Sequence, residues 1–255
     1  MSRKARRKKV YPWLIFALIA ALLIVASRAT GWNTPRSVFA DGTAPPPGQG
    51  EQDSRILPPV TPTKTSNAYT IGERNPDGTP VTFSPCRTWP IAVNTLNAPK
   101  HAYKRVLNAV AELSAATGLA FTVEGTTTET ANPDRRAYQP DRYGNRWAPI
   151  LITWTTGNAE HGFAGHGGPV TITLPDGTNH YITGQITIDA DGQFNQDPSN
   201  LEAILLHELG HVAGLNHSPD PTELMAPENV GQTGYGTGDL TGLAQLGNGP
   251  CDRTV

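Results

Sequence analysis

Four residues have the types and spacing to do chemistry: His207, Glu208, His211 and His217, in the stretch His207-Glu-Leu-Gly-His211-Val-Ala-Gly214-Leu-Asn-His217. If Leu201 to Ala213 is a helix, His207 and His211 lie one turn apart on one face, where two imidazoles grip one metal ion. Glu208 stands beside that face and reaches a water on the metal. His217 can supply a third ligand only if the chain turns sharply after the helix. Gly214 suits that turn, because the residue just past a helix end often needs positive φ. At this chain's His and Glu frequencies, the full pattern arises by chance about 10⁻⁵ times. Three imidazoles converging without a metal are hard to satisfy, so the expected chemistry is a metal-activated water handled by a carboxylate.

These groups need a scaffold. Ser199 followed by Glu202 reads as a capping box opening the metal helix, and Leu201, Leu205, Leu209 and Val212 give it a core-facing stripe. Upstream, Ile91 to Asn94, Leu119 to Val123 and Ile150 to Thr155 read as strands. Between the first two, Pro99 to Thr117 reads as an amphipathic helix through Val106, Leu107, Val110, Ala111 and Leu113, stopped by Gly118. Ile150 to Thr155 is apolar enough for the middle of a sheet. Thr126 to Asn145 is polar and reads as a loop. Val170 to Leu174 and Tyr181 to Ile188 flank Pro175-Asp-Gly-Thr-Asn179, a hairpin signal with Asp-Gly in the turn. Thr237 to Leu246 reads as a last helix facing Leu240, Leu243 and Leu246 inward. The order implies an α/β (α+β) domain on a mixed sheet.

The chain has 255 residues and a formal net charge of −2. Six basic residues lie in the first nine; the other fourteen against 22 acidic ones leave −8. A mildly acidic body without a basic patch argues against nucleic-acid binding. After the basic cluster, Trp13 to Ala26 is uninterruptedly apolar, so residues 1–28 read as a transmembrane anchor or a cleaved secretory signal, with the anchor preferred. Either way the body is exported. That puts it at the cell membrane, single-pass with its C-terminal domain outside, or secreted once the signal is cut. Residues 29–67 are rich in Pro, Gly, Thr and Ser and read as a disordered stalk; the folded domain is expected over 68–255. Cys86 and Cys251 are the only cysteines. An even pair in an exported chain favours a disulfide; the alternative is a free Cys86 that blocks the metal.

HELGHVAGLNHS followed by Glu223-Leu-Met-Ala-Pro227 resembles the metzincin zinc endopeptidases. Ser218 after the third His, and the closing TGDLTGLAQLG, are most similar to the matrixin branch. The resemblance implies a zincin-type catalytic domain with one catalytic Zn²⁺ on His207, His211 and His217, Glu208 as base and Met225 in a methionine turn beneath the metal. It implies no tyrosine switch, since Pro227 stands where astacin-like and serralysin-like members carry Tyr. A cysteine-switch peptide is not recognisable. Matrixin domains often carry structural zinc and calcium before the active-site helix. His161, His166, His180 and Asp189 stand in that stretch, and Asp189 with Asp191 could serve calcium, but their spacing fits poorly and they read equally well as loop and turn residues.

The implied activity is hydrolysis of peptide bonds in extracellular or cell-surface proteins by a monomer. The substrate would lie extended along an edge strand, for which Tyr181 to Ile188 is the candidate, beside a pocket walled by about Pro227 to Tyr235. Two rival readings stand beside it: a non-catalytic zinc-containing binding module on the cell surface, and an amidase acting on cell-wall peptides.

Overall fold

The computed structural model describes residues 44–156, 164–192 and 197–255. The segment 1–28, on which the anchor-or-signal expectation rests, and His161 lie outside these residues. Among the described residues no helix is long and apolar enough to cross a membrane.

A five-stranded sheet carries the domain. Its strands are β2 (Thr88–Val93), β3 (Ala120–Thr126), β4 (Ile150–Thr155), β5 (Gly165–Thr173) and β6 (Asn179–Asp189), in the order β3-β2-β4-β6-β5. β2, β3, β4 and β6 run parallel, and β5 returns antiparallel to β6. β4 is buried along almost its whole length, as its apolar run requires between two neighbours. The two-residue strands β1 (Thr70–Ile71) and β7 (Leu215–Asn216) form a separate antiparallel pair.

Helix α1 (Ala102–Thr117) buries Val106, Ala109, Val110 and Leu113, the i, i+3, i+4, i+7 stripe of an amphipathic helix, and ends at Gly118 with φ 71°. Its start lies three residues later than the sequence suggests. The metal helix α3 (Pro198–Ala213) packs against α1 and lies under β5. With the closing helix α4 (Thr237–Leu246) they bury one apolar core with the sheet, around Trp89, Ile152, Leu205, Leu209 and Met225.

Four expectations need correction. The cap of α3 is Asp197, not Ser199: its side chain accepts from the backbone N–H groups of Ser199 and Asn200, and Pro198 fills the first helical position. Glu202 instead pairs with Arg105 of α1 at 2.6 Å. Of the two hairpin strands the one at the sheet edge is β5, because β6 is paired on both sides. The 126–145 stretch is not a plain polar loop. It contains the short helix α2 (Pro140–Tyr143), and Glu129 takes a bidentate pair from buried Arg135 (2.9 and 3.0 Å) plus bonds from Gln139 and Tyr143, both 2.6 Å.

The fourth concerns residues 44–67. They form no helix or strand, yet they are docked. Glu51 pairs with buried Arg87 at 3.2 Å, and Arg55 donates to the carbonyls of Gly247 (2.8 Å) and Gly118 (3.1 Å). Proline removes the ladder hydrogen bonds a strand would need, so this segment is held by particular side chains instead. Cys86 and Cys251 form a disulfide, with Cα atoms 5.3 Å apart.

Candidate metal centre and active site

The last turns of α3 aim His207 and His211 to the same side, as the four-residue spacing requires. Gly214 ends the helix at φ 113° and turns the chain; a Cβ there would meet the Tyr181 ring at 2.8 Å, so the turn is closed to larger residues. The chain then runs through β7 and delivers His217. The ring centroids lie 4.7, 4.9 and 5.4 Å apart, and one nitrogen from each imidazole lies within 4.8 Å of the others.

Backbone carbonyls orient two of the rings. His207 Nδ1–H donates to Leu224 O and His211 Nδ1–H to Leu215 O, both at 2.8 Å. Each bond leaves the Nε2 lone pair facing inward. The two Nε2 atoms stand 3.1 Å apart. Two ligands of a tetrahedral zinc at ordinary Zn–N lengths stand about 3.3 Å apart. Burial pushes all three histidines down: His211 to about 3, aided by neighbouring His207, and His207 and His217 below their usual range. Neutral imidazoles with converging lone pairs are what a zinc ion requires, so these residues fit the group.

Glu208 is only 6% exposed, and burial pushes its carboxyl up to about 8. It lies against the backbone of β5 at Gly165 and Gly167. Met225 is fully buried beneath the helix; a Cβ on Gly210 would overlap its sulfur. Its carbonyl accepts from Ser218 N at 2.8 Å, which ties the limb carrying His217 to the methionine turn.

Sequence reasoning missed the groups behind these. Asp239, buried in the first turn of α4, accepts from Leu224 N (2.7 Å), Met225 N (3.4 Å) and Gly236 N (3.0 Å). Glu223 reciprocates, accepting from Gly238 N and Asp239 N at 2.9 and 3.0 Å. The methionine turn and α4 thus cap each other. On the outer side, β1 pairs with β7, Gly72 N donates to Gly214 O (2.8 Å) and Ser218 Oγ donates to Ala68 O (2.8 Å). An acidic residue three positions into a closing helix is a usable sequence signal for Asp239; two-residue strands leave none.

Among the described residues, those considered for further metals form no ligand cluster. His166 is on β5, His180 of β6 lies 2.9 Å from Asp252, and Asp189 accepts from Asp191 N at 3.1 Å. Among the described residues, the only other cluster with metal-ligand types is Glu51 with Cys86 and Cys251, whose sulfurs are joined to each other.

A family model described as Matrixin (Peptidase M10) matches residues 87–246. Matrix metalloproteinase-16 of Rattus norvegicus is 38% identical over 93 residues, 33% of this chain and 15% of that protein. Macrophage metalloelastase of Oryctolagus cuniculus is 31% identical over 111 residues, 40% of this chain and 24% of that protein. The chain therefore spans less than a quarter of these relatives' own lengths. A solved structure, high choriolytic enzyme 1, a hatching enzyme zinc-protease of Oryzias latipes, aligns with 74% of this chain and 99% of its own at TM-score 0.37 and 13% identity, a likeness too slight to bear on the assignment. The matched stretch takes in the whole sheet, the three histidines, the methionine turn and the closing helix, and on it the chain belongs to the matrixin family.

Proposed function

We propose that this chain is a zinc-dependent endopeptidase in which His207, His211 and His217 hold one zinc ion and Glu208 is the general base. One observation carries the reading: three neutral imidazoles converge, two of them turned inward by backbone carbonyls, beside a buried carboxylate. A zinc ion held by His207, His211 and His217 would polarise the scissile carbonyl and lower the pKa of a water. The protein's own groups do the rest. Glu208 takes the water's proton on a carboxylate oxygen as the water oxygen bonds to the carbonyl carbon, and hands it to the leaving amine nitrogen as the C–N bond breaks. Its burial in an apolar setting suits both halves of that transfer. No covalent intermediate is needed, so no nucleophilic Ser or Cys is required.

The substrate is a polypeptide in extended form. β5 is the edge strand over α3, and pairing along it reads backbone rather than sequence. Selectivity belongs to the 227–235 segment. Asn229 Nδ2 donates to Gln232 O there at 2.8 Å, and Tyr235 OH donates to Leu206 O at 2.7 Å. We place the domain outside the cell, held by the basic and apolar segment 1–28. The disulfide supports an oxidising compartment.

The purified protein, assayed on an unfolded polypeptide, is expected to cleave internal bonds. Chelator should abolish cleavage, zinc should restore it, and Glu208→Ala should lower kcat by about 10²-fold or more with zinc still bound. Cleavage that survives chelation or the substitution overturns the mechanism. Zinc binding without polypeptide cleavage returns a binding module, and cleavage confined to cell-wall peptides returns an amidase.

A further inference from the structure

β5 reads Gly165-His166-Gly167-Gly168 where it passes over the metal helix. Glycine weakens a strand and persists there mainly where another chain approaches closely. Two of these three glycines have such a neighbour, and it is the same one. A Cβ on Gly165 would lie 3.0 Å from both Cγ and Oε1 of Glu208. A Cβ on Gly167 would lie 3.0 Å from Oε2 and from the backbone oxygen of Glu208. Residues two apart on a strand face the same way, so the two glycines form one bare patch with the carboxylate lying across it. Gly168, on the same strand, has open space around its Cβ position.

We propose that Gly165 and Gly167 are positioning residues that seat the Glu208 carboxylate. Resting on the reading of Glu208 as base, the inference adds what holds that base in place. The carboxylate lies against bare backbone, on the strand proposed to receive the substrate. One element therefore sets both the substrate and the base, which fixes their separation. Either methyl would push the carboxylate by a few tenths of an ångström or lift the strand. General-base transfer is sensitive to displacements of that order.

The test is a set of double-mutant cycles on the full chain. Gly165→Ala, Gly167→Ala and Gly168→Ala are each made in the wild type and in Glu208→Ala. Thermal unfolding, zinc affinity by chelator competition, kcat and KM are then measured. Gly165→Ala is expected to lower Tm in the wild type and less in Glu208→Ala, where the Glu208 Cγ and Oε1 it meets are gone and only Ile204 Cγ2, at 3.1 Å, remains. Gly167→Ala should behave similarly but with smaller relief, because it also meets the backbone oxygen and the Cβ of residue 208, both of which Glu208→Ala retains. Gly168→Ala should show no coupling with Glu208. In the otherwise wild-type protein, the first two should lower kcat about tenfold or more, with zinc affinity held within about twofold. Absence of thermal coupling at Gly165, equal coupling at Gly168, loss of zinc along with kcat, or an unchanged kcat would each overturn the seat. If instead Glu208→Ala cleaves as well as the wild type, the endopeptidase mechanism fails on its own, and the thermal cycles still decide whether the glycines hold this side chain.

Discussion

The aim of two imidazoles, His207 and His211, depends on a backbone carbonyl, and that of His207 depends in turn on something further out. His207 leans on Leu224 O, and Leu224 is held by Asp239. Asp239→Ala strips the acceptor from three backbone N–H groups, two of them in the methionine turn, and leaves buried donors unsatisfied, at about 1–3 kcal/mol each. We expect a lower Tm and zinc affinity reduced about 10- to 100-fold, the range for losing a group that orients a ligand, measured by chelator competition. The histidines and Glu208 were legible because their geometry is local: four residues make one helical turn. Asp239 was not, since its partners in the methionine turn lie 14 and 15 positions away. Asp197 was hidden by a nearer decoy, for Ser199 and Glu202 have the capping spacing but sit inside the helix.

Elements show the same division. The strand–helix–strand order, the central place of β4 and the closing helix follow from periodicity and apolar runs. Which hairpin strand lies at the edge does not, because β5 and β6 have equal claims until β4 chooses one. The small β1–β7 pair was invisible, but it braces the limb between the second and third histidines. Removing residues up to and including Gly72 takes away that pairing along with the Ala68 and Gly72 contacts. Such a chain should keep most of its helical circular dichroism while zinc affinity falls about tenfold or more. Unchanged affinity would mean that His217 is held from within α3 and the methionine turn alone.

Across the described residues, the segments flanking the sheet are fastened to it. The disulfide closes a sequence separation of 165 residues, worth about 5 kcal/mol in the chain-entropy account. Reduction should lower Tm by on the order of 10 °C in calorimetry. Beside it, Asp252 is pulled down to about 2: burial pushes it up, but His180 and Thr254 prevail. Its folded value lies below the unfolded one, so this stability is present above about pH 4 and lost as pH falls towards 2. Acid titration of Tm should therefore be flatter in that window for His180→Ala than for the wild type. Composition alone hid the docking of residues 44–67, because proline content reports the absence of ladders and says nothing about Arg55 or Glu51 finding partners.

The brace formed by Asp239 and Glu223 also sets an order of events in synthesis. A nascent chain extruded as far as His217 already contains all three imidazoles, but not Leu224 to receive His207, nor α4 to hold Leu224 still. Ligands precede their alignment by some twenty residues of translation. Until that last helix emerges, His207 lacks the held carbonyl that turns its Nε2 inward, so the three-histidine arrangement is complete only when the C-terminal turns close over the methionine.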